Sequence, residues 1–385
     1  MNLDIGIFMI ITNIKIVTLL EVIENGHIII SDGKIVEVNK GPYLGDDINV
    51  IDGQGKIAMP GFIDLHIHGS CGVDFMDAEE EDIRKIAKAL YQEGVTSFLA
   101  TTLTSDKESL EKVCKVINNS IKDNPSLLGL HFEGPYINAK YKGAQNEAYI
   151  RNPDIEEFDY LNNISGNNIR YISMAPEIEG SLEFIKHVTS NGVVVSAGHT
   201  DASFDDVANA IKVGLTNTTH THNAMSGHHH RKPGVVTASM YFDELYCEVI
   251  CDGIHVCPNT VKTFFKVVGA DRFVMISDAL KIKHSALKYF DLFGLDCERK
   301  DGAAYLLSGP LAGSLLTMDQ GLRNLREYIK DISLIDLMKV SSYNASKSLH
   351  LNDRGLIEKG RNADIVLLND NLEVQDVYKL GKKVF

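Results

Sequence analysis

The sequence predicts an α/β protein, a (β/α)8 barrel of the TIM type with a small β-sandwich domain built from both termini. Eight apolar strand candidates recur along the middle of the 385-residue chain, amphipathic helical stretches fall between several of them, and the two ends share a purely β character. Alternation of strand and helix alone leaves a doubly wound open sheet as the alternative.

Residues 1–58 contain short β segments such as His27-Ile28-Ile29-Ile30 and Lys34-Ile35-Val36-Glu37-Val38, with turns expected at Asn25-Gly26, Asp32-Gly33 and Asp52-Gly53. Residues 355–385 have the same character, in Asp364-Ile365-Val366-Leu367-Leu368 and Val377-Tyr378-Lys379-Leu380-Gly381. These two stretches are assigned to the small domain and residues 59–354 to the barrel, the alternative being that the ends merely edge the main core. The opening Met1-Asn2-Leu3-Asp4-Ile5-Gly6-Ile7-Phe8 has an early acid, no basic region and no small-residue cleavage site, so a strand is expected there rather than a signal peptide.

Within the barrel region the strand candidates end near His68, Thr102, Glu133, Ala175, His199, His220, Asp252 and Asp278. Helices are expected over Glu79 to Glu93, with apolar Ile83, Ile86 and Leu90 on one face, and over Ser105 to Ile121, with Leu110, Val113, Val116 and Ile117.

Composition narrows the function. A hydrophobic content of 44% suits a large buried core, and a net charge of −14 argues against a nucleic-acid partner. A few local cations can still hold one phosphorylated small molecule. No window reaches the ~18 apolar residues of a spanning helix, so no membrane partner is expected. Cys71, Cys114, Cys247, Cys251, Cys257 and Cys297 lack a zinc-finger spacing and point to reduced thiols in the cytoplasm. Cys247, Cys251 and Cys257 flank one strand and could be soft ligands, although buried small hydrophobes is the preferred reading.

The chemistry lies at the strand ends. In Pro60-Gly61-Phe62-Ile63-Asp64-Leu65-His66-Ile67-His68-Gly69 the two histidines stand two residues apart and share one face of a strand. Such a pair alone does not define a site. Strand three, however, ends in Glu133, strands five and six in His199 and His220, and strand eight in Asp278. A closed barrel gathers its strand ends around one mouth. Four histidines and two carboxylates exceed the needs of one ion and suit two divalent ions bridged by a carboxylate, most economically Glu133. His66 and His68 would then hold one ion together with Asp278, and His199 and His220 the other. Zinc, iron(II), manganese and cobalt all accept this donor set. The run His228-His229-His230 is expected to be a solvated loop rather than a further site, because consecutive side chains diverge.

The chain resembles the N-acetylglucosamine-6-phosphate deacetylases of the amidohydrolase superfamily. The resemblance is carried in order by PGFIDLHIHG (60 to 69), HFEGPYIN (131 to 138), KGAQ (142 to 145), AGHT (197 to 200), THTHNAM (219 to 225), CDGIHV (251 to 256), ISDA (276 to 279) and GSLLTM (313 to 318). It implies a barrel flanked by a β-sandwich, a homodimer, and hydrolysis of N-acetylglucosamine 6-phosphate to glucosamine 6-phosphate and acetate in amino-sugar catabolism and cell-wall sugar recycling. It assigns Glu133, His199 and His220 to the metal common to the family, His66 and His68 to a second ion, and Asp278 to the catalytic acid and base. Ala144, Gln145, Asn223, Ala224, Arg231, Asp252, His255, Leu311, Ala312, Gly313 and Ser314 match substrate-binding positions, with Arg231 serving its own or a neighbour's site.

There are two departures. Gln145 stands where many members have a histidine beside the substrate carbonyl, and the segment from Leu280 to Phe290 lacks the expected small-residue run. These leave the amino-sugar epimer, gluco or galacto, open. Another amidohydrolase activity is the competing enzymatic reading, and a metal-free barrel scaffold the competing non-enzymatic one. The retained ligand set argues against the scaffold.

Overall fold

The computed structural model describes residues 8–45, 47 and 49–385. The strand expected over Met1–Phe8 lies outside the described residues except for Phe8, which opens the strand Phe8–Val17.

Eight parallel strands follow one another in chain order around the central sheet. They are β1 (Phe62–Ile67), β2 (Val95–Thr101), β3 (Leu127–Glu133), β4 (Ile169–Met174), β5 (Val194–Ala197), β6 (Leu215–Thr218), β7 (Tyr246–Ile250) and β8 (Phe273–Ile276). Closure is made just beyond the strand ends, where the Asp278 amide donates to the His66 carbonyl at 2.8 Å and the His68 amide to that of Ala279 at 2.9 Å. The buried Asp64 carboxylate adds a clasp by accepting from the Ser277 hydroxyl at 2.5 Å and the Ser277 amide at 3.2 Å. Burial pushes its pKa up to about 6, partly offset by Lys283 and by these bonds. A closed barrel therefore forms, and the open-sheet alternative is set aside.

The helices form where the apolar spacing places them. Glu80–Tyr91 buries Ile83, Ile86 and Leu90, and Lys107–Ser120 buries Leu110, Val113 and Ile117. Asp106 starts the latter by accepting from the Ser109 amide at 2.9 Å. Both helices fall within the stretches expected from sequence.

Strands from both ends of the chain build one further sheet, ordered Lys382–Lys383, Val374–Lys379, Ile365–Leu368, Ile57–Pro60, Phe8–Val17, Val22–Ser31 and Lys34–Lys40, with Val50–Asp52 beside Phe8–Val17. The sheet curls until a bridge joins Lys34 to Asn362. Isoleucines fill it, among them Ile11, Ile14, Ile16, Ile28, Ile30 and Ile365.

Two local expectations are corrected. Asn25-Gly26 is not a turn: the strand Val22–Ser31 runs through it, and Gly26 faces Ile14 where the register slips. A β-carbon on Gly26 would lie 2.6 Å from the Asn39 carbonyl oxygen, so glycine is there to permit close strand approach. Eight strands also did not exhaust the barrel region. After β8 an antiparallel sheet of Tyr289–Asp291, Asp296–Lys300, Ala303–Leu306 and Leu311–Ser314 is inserted.

Candidate metal centre and substrate cavity

The candidate ligands meet at the C-terminal mouth of the barrel in two groups, His66, His68 and Asp278 in one and Glu133, His199 and His220 in the other. The backbone turns sharply to present them. His199, His220 and Asp278 have φ of 49°, 31° and 47°, left-handed values that non-glycine residues adopt at a cost and that often mark functional sites.

In the first group the Nε2 atoms of His66 and His68 are 3.2 Å apart, and each is 3.3 Å from Asp278 Oδ1. In the second, the Nε2 atoms of His199 and His220 are 3.1 Å apart and stand 3.2 and 3.1 Å from Glu133 Oε1. Glu133 touches both groups, since its Oε1 also lies 3.2 Å from His66 Nε2 and its Oε2 lies 3.3 Å from His68 Nε2.

These spacings fit a metal centre. Donors held at about 2.0–2.1 Å around a tetrahedral ion stand ~3.3 Å from one another. Imidazole nitrogens facing each other in pairs have little reason to converge unless a cation lies between them. The charge balance agrees: burial opposes charging His66, but Glu133 and Asp278 hold its pKa well above the usual imidazole range. His68 is driven to about 9 against the same burial by Asp278 and Glu133. Both carboxylates are correspondingly held below their ordinary range despite burial, Glu133 chiefly by His66 and His199 and Asp278 chiefly by His66 and His68. Only a cation or protonated histidines can balance the two carboxylates at this depth.

The outward ring nitrogens of the second group are anchored. His199 Nδ1 lies 2.9 Å from the Tyr141 carbonyl oxygen and His220 Nδ1 3.2 Å from that of Asn223, which directs Nε2 inward in both. Gly143, at φ 55°, lets its loop pass the His199 ring, where a β-carbon would sit 3.4 Å from Cε1.

A cavity of about 330 Å³ opens above the ligands. Of the expected substrate positions, Ala144, Gln145, Asn223, Ala224, His255, Leu311, Ala312 and Gly313 line it, together with His68, Glu133, His199, His220 and Asp278. Four expected residues do not. His66 lies deeper and fully buried, Arg231 is exposed on the 226–234 loop, and Asp252 stands behind His255, with 2.6 Å between its Oδ2 and His255 Nδ1. The Ser314 hydroxyl donates to the Ser277 carbonyl and accepts from the Leu316 amide, which braces the wall beside Gly313.

Gln145 is held from both ends of its amide. Its Oε1 accepts from the Thr104 amide at 2.7 Å, which fixes the amide orientation, and its Nε2 donates to Glu133 Oε2. Leu103, Lys140, Tyr141 and Gly143 line the cavity as well and were not anticipated. Lys140, Tyr141 and Gly143 lie on the KGAQ loop already singled out or just before it, and proximity in sequence was the available signal. Cys247 and Cys251 are buried, Cys257 is exposed, and neither these nor His228-His229-His230 belong to a metal-binding group among the described residues.

With this geometry in place, comparison with known proteins is decisive. The amidohydrolase family profile matches residues 57–384. The chain belongs to the amidohydrolase family. A Lysinibacillus sphaericus N-acetylglucosamine-6-phosphate deacetylase is 36% identical over 97% of this chain and 97% of its own length. An N-acetylgalactosamine-6-phosphate deacetylase of Escherichia coli O157:H7 is 30% identical over 92% of this chain and 93% of its own. The crystal structure of N-acetylglucosamine-6-phosphate deacetylase from Thermotoga maritima superposes with a TM-score of 0.90 at 36% identity, covering 98% of this chain and 99% of that one. A mutant Mycobacterium smegmatis enzyme in complex with N-acetyl-D-glucosamine-6-phosphate gives a TM-score of 0.93 at 27% identity, covering 98% and 100%. Family membership makes metal dependence the rule, and the two ligand groups agree with it.

Proposed function

We propose that this chain is an N-acetylglucosamine-6-phosphate deacetylase that hydrolyses the acetamide to release acetate and glucosamine 6-phosphate. The observation that carries the reading is the convergence of six metal-type donors beneath a cavity lined by Asn223, Ala224 and His255, in a chain 36% identical to a deacetylase of that name. Two divalent ions are proposed, one held by His66, His68 and Asp278, the other by His199 and His220, with Glu133 between them. Such ions, when bound, acidify water and polarise a carbonyl. The donor set admits zinc, iron, manganese or cobalt.

The chain's own groups then divide the work. Asp278, at the cavity floor and held ionised by the neighbouring histidines, accepts the proton of the attacking water and returns it to the departing amine. Gln145 holds Glu133 in place through its amide and leaves a second N–H for the substrate carbonyl. His255 is oriented by Asp252, whose carboxylate raises its pKa against burial, so it presents a donor suited to a phosphate or hydroxyl. A homodimer is proposed on the family likeness, with Arg231, exposed on the 226–234 loop, holding the substrate phosphate of its own or the neighbouring subunit's site. Residues 1–58 with 355–385 and residues 59–354 are the proposed domains. Six unpaired cysteines support a cytoplasmic setting, and no helix among the described residues is long and apolar enough to cross a membrane.

The test is acetate release from N-acetylglucosamine 6-phosphate, from its galacto epimer and from the unphosphorylated sugar, with metal content measured on the same sample. Turnover of the gluco phosphate, lost on removing the phosphate, is expected. A clear preference for the galacto epimer would move the reading to that substrate, and no turnover of either by metal-loaded protein would overturn it.

A further inference from the structure

Three of the four candidate histidine ligands have an acceptor behind the ring, and one of these acceptors is unlike the others. His199 and His220 lean on backbone carbonyls, which no substitution removes. His66 faces a side chain: its Nδ1 is 3.5 Å from Oε2 of Glu248, on β7. His68 Nδ1 has no hydrogen-bond partner among the described residues.

Glu248 is 0% exposed, in a position where an unpaired carboxylate is costly. No lysine or arginine among the described residues pairs with it, and His66 is its ion-pair partner. The same Oε2 is 3.4 Å from the His220 amide, so one oxygen lies beneath a ligand of each group. Oε1 has no hydrogen bond of good geometry among the described residues; the Tyr171 hydroxyl is the neighbouring polar group, and Glu248 adds to burial, through its charge and a hydrogen bond, in pushing that phenol well above its usual range. Apart from Tyr171, the compensation that reaches this buried acid comes from His66 and the His220 amide, so it is directed at the ligand groups.

We propose that Glu248 is a positioning residue for the second ion: its carboxylate accepts a hydrogen bond from the His66 Nδ1–H, which fixes the tautomer that leaves Nε2 free for the ion and strengthens that nitrogen as a donor. The inference rests on the two-ion reading above. It makes affinity at the His66, His68 and Asp278 group depend on a residue that touches neither ion nor substrate, while His199 and His220 keep their backbone anchors. Outer-shell partners of this kind are worth roughly 10–100-fold in metal affinity.

The test is titration of metal-free wild type, Glu248→Gln and Glu248→Ala with Zn²⁺ alone, followed by calorimetry and by metal analysis after dialysis, with a thermal melt of each metal-free protein. Wild type is expected to bind two ions. Glu248→Gln keeps an acceptor but loses the charge and should weaken only one of the two sites, by about tenfold, and Glu248→Ala should weaken the same site by about 100-fold. The metal-free melting temperature of Glu248→Gln should match wild type. Equal weakening of both sites, or unchanged affinity in Glu248→Gln, would overturn the proposal, and the Gln variant decides the matter if the Ala variant does not fold. A wild type that binds a single ion would instead overturn the two-ion reading, and this inference with it.

Discussion

Replacing His66 with alanine separates the two ion sites. The substitution deletes one of three donors in the group with His68 and Asp278, while His199, His220 and Glu133 keep their mutual spacing of 3.1 to 3.2 Å. Outer-shell changes alone reach about 100-fold in affinity, so loss of a direct ligand should cost at least that, ~2.7 kcal/mol. With free ion at about ten times the wild-type Kd, occupancy of that site should fall from ~0.9 to ~0.1, and metal content from about two ions per chain to about one. The His66 ring is fully buried, so the deletion also leaves a cavity costing roughly 3 kcal/mol. Stability must therefore be followed alongside metal content. The assay is metal analysis after dialysis, with circular dichroism to confirm the fold. Loss of both ions from a folded variant would refute independent sites, and retention of both would remove His66 from the ligand set.

Asp278→Asn should lower kcat by 10²- to 10⁴-fold, the usual range for a proton-transfer group, as read by acetate release. Near-normal turnover with both metals retained would contradict its role as acid and base. Glu93→Gln should destabilise the fold by about 3–5 kcal/mol at neutral pH, because it breaks a buried pair with Lys283 Nζ, 2.8 Å away, measured by denaturant unfolding. Lys283 and His284 hold the Glu93 pKa below its ordinary 4.5 against burial. Its stabilising contribution is present above 4.5 and lost as pH falls through the lowered folded value, so the gap between wild type and variant should close with acidification. Chelation should lower the melting temperature of the wild type, since each site filled at about 100 times its Kd contributes about 2.7 kcal/mol. An unchanged melt after verified metal removal would count against ions held at the barrel mouth.

What the sequence made legible follows from how a barrel displays its chemistry. A strand such as Phe62–Ile67 is apolar until it leaves the barrel, so a donor at its end interrupts a pattern and can be recognised without knowing what it meets. Glu133, His199, His220 and Asp278 all interrupt in this way. Glu248 does not, because it lies inside β7, where one acid between Cys247 and Val249 looks like the polar half of an ordinary alternation. Only the knowledge that β7 is buried along nearly its whole length turns that acid into an anomaly. The inserted sheet escaped for the opposite reason: Asp296-Cys297-Glu298-Arg299-Lys300 has a single buried residue and no apolar run. Its strands are set by pairing with one another and by the Ala279–Ser314 bridge to the barrel, contacts that no local pattern encodes. Yet this insert carries Leu311, Ala312 and Gly313 to the cavity wall, and its anchor, Lys283 and His284 on Glu93, lies in the segment that departs from the family pattern. Reaction type is therefore written in strand ends, where the backbone dictates position. The wall that the insert supplies depends on tertiary contacts instead, and exchanging the 280–290 segment that anchors it for that of an N-acetylgalactosamine-6-phosphate deacetylase should alter the ratio of gluco to galacto turnover while leaving metal content unchanged.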